Sequence, residues 1–151
     1  MRIEKSFTVA APQSVVWSFI TDPDRVAACI PGCENVATID DGKYRATVKI
    51  AAGPIKTSFQ LTVTATEARA PEFAAYQTKG EEGGKASRLS ANSTLTLTAI
   101  DENKCGVAYI SDITIAGRLG KFGAGVMRKI ADSEGEKFAA ALSAAIEAAN
   151  P

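Results

Sequence analysis

Apolar and polar residues alternate along residues 2–10. Ile3, Lys5, Phe7 and Val9 share one parity and Arg2, Glu4, Ser6 and Thr8 the other, the pattern of a strand. The period then changes. Pro12 opens "APQSVVWSFITDPDRV", where Val16, Phe19 and Ile20 form a helical stripe widened by Val15 and Trp17; Pro12 is expected at the first helical position, where no N–H is lost. Thr21 or Asp22 is suited to cap a second short helix that starts on Pro23 and runs to about Cys29, ending in "IPG". About five strands follow. "ENVATI" is closed by the turn "DDGK", and "YRATVKIAA" puts Tyr44, Ala46, Val48 and Ile50 on one face before "GP" breaks the chain. "IKTSFQLTVTATEAR" turns Ile55, Phe59, Leu61, Val63 and Ala65 inward. "EFAAYQTKG" leads to a hairpin turn at Gly83-Gly84. "SRLSANSTLTLTAI" turns Leu89, Ala91, Ser93, Leu95 and Leu97 inward. After the turn "DENK", "CGVAYISDITIAG" does the same with Val107, Tyr109, Ser111, Ile113 and Ile115. From about Leu119 to Ala149 the spacing is helical again, with Leu119, Phe122, Val126, Ile130, Phe138, Leu142, Ala145 and Ile146 on the apolar stripe.

The order predicts an α+β fold of helix-grip type: a strongly curved antiparallel sheet wrapped around one long C-terminal helix, with two short helices after the first strand. One sheet face is polar and needs no cover. The other is apolar, and only the terminal helix is long enough to cover it. No repeat, linker or low-complexity segment divides the chain, so residues 1–151 are expected to form one domain. The inward faces mix large residues with small ones such as Ala46, Ala65, Ala91, Ser93 and Ser111. Small residues across a concave sheet either meet bulky helix residues or leave a void, and a mostly apolar void is the usual ligand site.

Composition narrows the chemistry. Lys plus Arg balances Asp plus Glu at 17 each, so no basic excess draws the chain to nucleic acid. There is no histidine, which removes Ser-His-Asp and Cys-His catalysis and the commonest metal ligand. The N-terminus has no apolar signal region and no stretch of about 18 apolar residues exists, so a cytoplasmic protein without a transmembrane anchor is expected. The three cysteines are expected to be free thiols in a reducing compartment. Cys29 and Cys33 flank a Pro-Gly turn in a C-x3-C spacing, which fits neither a C-x-x-C redox motif nor a zinc site, and reads as two small hydrophobes. Asp112 is expected on the outer face and Lys5 on the inner parity near an edge, snorkelling to solvent.

The stretch "GRLGKFGAG", residues 117–125, has four glycines. Its spacing is not G-x-G-x-x-G, no G-K-[ST] is present, and no second parallel strand follows, so a nucleotide loop is not supported. Two readings stand. Glycine serves a strand-to-helix hinge with close packing, or Gly120 and Gly123, on one helix face, keep side chains out of a cavity and act as its gate.

Three segments carry a family resemblance: "FTVAAPQSVVWSFITDPDRVAACIPGCENV", "AAGPIKTSFQLTV" and "GRLGKFGAGVM". Together they resemble the CoxG family of carbon monoxide dehydrogenase proteins, within the START-like (SRPBCC) helix-grip superfamily, over nearly the whole chain. "IPGCE" followed by "GPIK" is the more specific part. The resemblance implies an apolar cavity, and partners comprising a small apolar, quinone- or lipid-like molecule and a molybdenum hydroxylase complex. It also implies a place at the inner membrane face through such partners, with a homodimer left open. It supplies no catalytic residue, metal site or cofactor. Phe59, Leu61, Leu95, Tyr109 and Ile113 of the sheet are expected to line the cavity. Phe122, Val126 and Met127 are expected to join them from the helix, and Ile30 and Pro31 from the rim. An accessory binding protein is the leading reading; an assembly factor with no ligand and a cyclase-like enzyme are the rivals.

Overall fold

The computed structural model describes residues 1–149; the last two residues of the expected 1–151 domain lie outside the described residues. Strand β1 (Arg2–Val9) leads into α1 (Gln13–Ile20) and α2 (Pro23–Cys29). Six strands follow: β2 (Cys33–Asp40), β3 (Lys43–Ala52), β4 (Ile55–Arg69), β5 (Phe73–Glu82), β6 (Ser87–Asp101) and β7 (Lys104–Gly117). A 3-10 turn (Arg118–Phe122) precedes the terminal helix α3 (Ala124–Ala149). The strands form one antiparallel sheet in the order β1-β7-β6-β5-β4-β3-β2. The run β2 to β7 is a meander, and the two short helices carry the chain from one edge of the sheet to the other.

Two boundaries differ from the expectation. Pro12 is the N-cap of α1, with ψ at 148°, rather than its first residue. Helix α3 begins at Ala124 and not at Leu119, because Gly117 and Gly123 both take positive φ, 98° and 89°, and isolate a 3-10 turn between them. Helical φ cannot continue through either glycine. Gly120 therefore lies in the turn and Gly123 at its end, and the two do not share a face of α3. At the second short helix, Asp22 is the cap, accepting from the Asp24 and Arg25 amides, with Pro23 behind it.

The alternation fixes which residues face α3. Register places the inner residues in rows across the sheet. One row is Tyr76, Ser93, Ser111 and Ile3; the next is Ala74, Leu95, Tyr109 and Lys5. Asp112 is exposed on the opposite face and Lys5 is on the inner one, as expected.

Three polar contacts set α3 alongside β1. Arg128 donates to the Arg2 carbonyl at 3.0 Å, Lys5 pairs with Glu136 at 3.4 Å, and the Ala10 amide donates to Glu147 at 2.9 Å. A strand from residue 2 to 10 advances about 26 Å and a helix from 128 to 147 about 28 Å. The two elements therefore run in the same direction and keep pace.

The core is in two parts. The first joins Val9, Val16, Phe19, Ile20, Leu97, Val107, Leu142 and Ile146, at the C-terminal end of α3. Trp17 packs against it, in agreement with its reading as core. The second joins Ile55, Phe59 and Leu119, with Leu61, Phe122, Val126, Met127 and Ile130 packed on them, at the start of α3. Each fully buried aliphatic or aromatic side chain contributes about 1.5–3 kcal/mol.

The hinge glycines differ in what they tolerate. A β-carbon on Gly117 would sit 2.3 Å from the Ala86 carbonyl oxygen, whereas one on Gly125 meets nothing within 4 Å. Gly117→Ala is expected to lower stability by about 2 kcal/mol or more, and Gly125→Ala to leave it unchanged or raise it by about 0.5 kcal/mol, as read by urea unfolding. Equal effects would contradict the hinge geometry.

Candidate functional site

The concave side of the sheet is only partly covered. Helix α3 lies along β1 and against α1, α2 and the 3-10 turn. On the inner faces of β3, β4, β5 and β6, well inside the sheet, Tyr44, Val63, Tyr76, Thr78, Ser93 and Leu95 all stay partly accessible. Central-strand residues facing a packed helix would be closed off. Between the two apolar clusters the inner face instead carries small and hydroxyl-bearing side chains: Thr78, Ala91, Ser93 and Ser111, with Tyr76 and Tyr109 beside them. The Ser93 and Ser111 hydroxyls are hydrogen-bonded at 2.9 Å. Burial pushes the Tyr76 and Tyr109 phenols up from their ordinary value, and the Ser111 hydroxyl partly offsets this for Tyr109.

The expected lining residues divide along this geometry. Phe59, Leu61, Phe122, Val126 and Met127 come together in the second cluster, where Phe59 is only 2% exposed. Leu95 packs on the first cluster. Tyr109 and Ile113 face inward between them. Ile30 and Pro31 sit half-buried at the turn from α2 to β2 and belong to neither cluster. Gly120 and Gly123 are exposed around the 3-10 turn that carries Leu119 and Phe122 into the second cluster.

One polar group that pattern reading passed over proves central. Glu82, 7% exposed, closes the inner face at the end of β5. It accepts from Thr57, from Ser87 at 2.9 Å and from the Arg118 guanidinium. Ser87 in turn accepts from the Leu119 amide at 3.0 Å. The hydrogen bonds from Arg118 outweigh the burial that opposes ionisation, and with Thr57 and Ser87 they hold the Glu82 carboxyl down at about 2. A signal did exist: Glu82 sits at a buried parity of β5, where an apolar residue is expected.

The thiols fit their reading as hydrophobes. Cys29 and Cys105 are buried and Cys33 is half-buried, all three free, and burial pushes each thiol up. Among the described residues no group of three or more Cys, Asp or Glu is placed to hold a metal ion. No helix among them is long and apolar enough to cross a membrane. Sequence reading did not anticipate a concavity of about 570 Å³ on the outer face of the sheet, around Gly80 and lined by Arg45, Thr62, Lys79 and Arg88.

The family model for CoxG, a carbon monoxide dehydrogenase subunit, matches residues 6–147. The chain belongs to the CoxG family. Its START-like fold is shown by solved structures as well. A conserved protein from Geobacillus kaustophilus superposes with a TM-score of 0.90 at 21% identity, over 97% of this chain and 95% of that one. A START superfamily protein from Mycobacterium smegmatis gives 0.73 at 15% identity, over 99% of both chains. The Zhui aromatase/cyclase from Streptomyces sp. R1128 gives 0.72 at 15% identity, over 97% and 93%. At such identities the likeness establishes the architecture of this CoxG family member and leaves its ligand to the site. No curated protein matches the chain.

The Glu82 knot generates a prediction. Its folded pKa lies below the ordinary 4.5, so its contribution is present above that pH and lost as pH falls toward about 2. Arg118 is 47% exposed, so screening holds the contribution to on the order of 2 kcal/mol. Glu82→Gln is expected to cost about this much at pH 7. It should also flatten the acid limb of stability between pH 4.5 and 2, measured by denaturant unfolding across pH. An unchanged acid limb would remove the knot from the stability of the fold.

Proposed function

We propose that this CoxG family member is an accessory protein that binds a small apolar molecule, quinone- or lipid-like. It does so between α3 and the concave sheet, as one ligand-binding unit, and acts beside a carbon monoxide dehydrogenase-type molybdenum hydroxylase. The observation that carries the reading is the split core: two apolar clusters separated by a partly accessible, small-residue stretch in the middle of the sheet. A fold with no cargo gains nothing from leaving Thr78 and Ser93 partly uncovered on the concave face, because each unfilled methyl-sized space costs roughly 1 kcal/mol. The apolar clusters suit the ends of an elongated molecule, and the hydroxyls between them suit its polar part. The 3-10 turn, flanked by Gly117 and Gly123 and pinned by Glu82, is the element that would move to admit it. The family supports the partner, since its name ties it to the dehydrogenase.

The test is native mass spectrometry of freshly purified protein, paired with organic extraction. A stoichiometric apolar adduct is the expected result. A clean unliganded mass, with no thermal shift on adding quinones, would overturn the quinone form of the proposal and favour an assembly role.

A further inference from the structure

The polar face of the sheet, turned away from α3, is not flat. Its registered residues form two rows that cross the strands. Arg45, Thr62, Lys79, Ser90 and Thr114 make one row, and Gln60, Glu81, Arg88 and Ala116 the next. Leu61, Gly80 and Leu89 lie between the rows and belong to the inner parity, so only their backbone floors the space. The two rows wall the concavity of about 570 Å³. At about 4.8 Å per strand and about 6.8 Å between alternate residues, the groove is about 19 Å long and about 7 Å wide. Three cations line it, Arg45, Lys79 and Arg88, against one carboxylate, Glu81. All four residues are exposed. Among the described residues, none of the three cations makes an ion pair, although Glu81 stands directly across from Arg88 in register. Elsewhere on the same face, Arg2 pairs with Glu4 and Lys49 with Glu34.

We propose that this groove docks an acidic, extended segment of a partner protein. The chain as a whole is neutral, with 17 basic against 17 acidic residues, so the positive excess is local to the groove and sets where an acidic partner lands. Each arginine presents a planar fork matched to a carboxylate. Thr62, Ser90 and Thr114 add hydroxyls along the same wall, which can donate to carboxylate or backbone oxygens. The positive charges are spread along the groove. Arg45 and Arg88 are three strands and two residues apart, about 16 Å at the backbone, with Lys79 between them. An extended segment of about six residues spans the length of the groove and turns alternate side chains to its two walls. A compact anion would fill a fraction of it. The groove lies on the face opposite the proposed ligand space, so the inference stands whether or not an apolar molecule binds there.

The probe is fluorescein-labelled hexaglutamate, measured by fluorescence anisotropy against the full chain at low ionic strength. Labelled hexaglutamine and unlabelled tripolyphosphate are the comparisons. Hexaglutamate is expected to bind and hexaglutamine not, with affinity falling as salt is added. Arg45→Gln, Lys79→Gln and Arg88→Gln should each weaken binding about 3-fold, and about 30-fold when combined. Glu81→Gln should strengthen it about 3-fold, a gain that loss of folding does not produce. Lys104→Gln, Lys121→Gln and Lys129→Gln combined make the same change of charge outside the groove and should leave binding unchanged. No binding of hexaglutamate, equal binding of hexaglutamine, or the same loss in both triple variants would overturn the inference. Tripolyphosphate binding as tightly as hexaglutamate would overturn it in favour of a small-anion site. Each of these outcomes leaves the ligand-binding reading standing.

Discussion

The buried carboxylate of Glu82 ties together three parts of the chain that are distant in sequence. It joins β4 through Thr57, the start of β6 through Ser87, and the strand-to-helix turn through Arg118. Where that turn sits decides where α3 begins, and where α3 begins decides what it covers. A buried charge is costly unless its lone pairs are met; here four hydrogen bonds meet them. The glycines on either side are part of the same constraint. Gly117 brings the chain past Ala86 with no room for a side chain, and Gly123 ends the turn so that a helix can start afresh.

From that start α3 is carried along β1 rather than across the middle of the sheet. The contacts at Arg2, Lys5 and Ala10 are exposed and individually weak. They work in concert with burial of Leu142 and Ile146 at one end and of Leu119 with Phe122, Val126 and Met127 at the other. The helix is thus anchored at both ends and along one edge. The inner faces of the central strands are left with less cover than a closed core would give them. The same arrangement that stabilises the domain therefore leaves the middle of the concave face partly accessible.

The glycine stretch serves the scaffold through its backbone conformation. Its glycines are spaced to let the backbone reverse, and the turn they frame plugs the second cluster with Leu119. On the ligand-binding proposal, the turn that closes the core would also be the piece that moves to admit the ligand.

Alternation at period two and stripes at helical spacing made the strands, the two short helices and the identity of the inner faces legible from the residues alone, since side-chain direction follows from backbone period. The absence of histidine and the balanced charge likewise bounded the chemistry without any coordinates. What no pattern held was distance. Phe59 and Phe122 meet, and Ile30 stays apart, because of sheet curvature and helix placement, which depend on contacts between residues far apart in sequence. The start of α3 was misplaced by pattern because Leu119 and Phe122 keep helical spacing through a turn that is not α-helical. Glu82 was passed over because local pattern counts a lone acid as a solvated one. Only the tertiary structure, by closing other elements over it, turned it into the fastening of the fold.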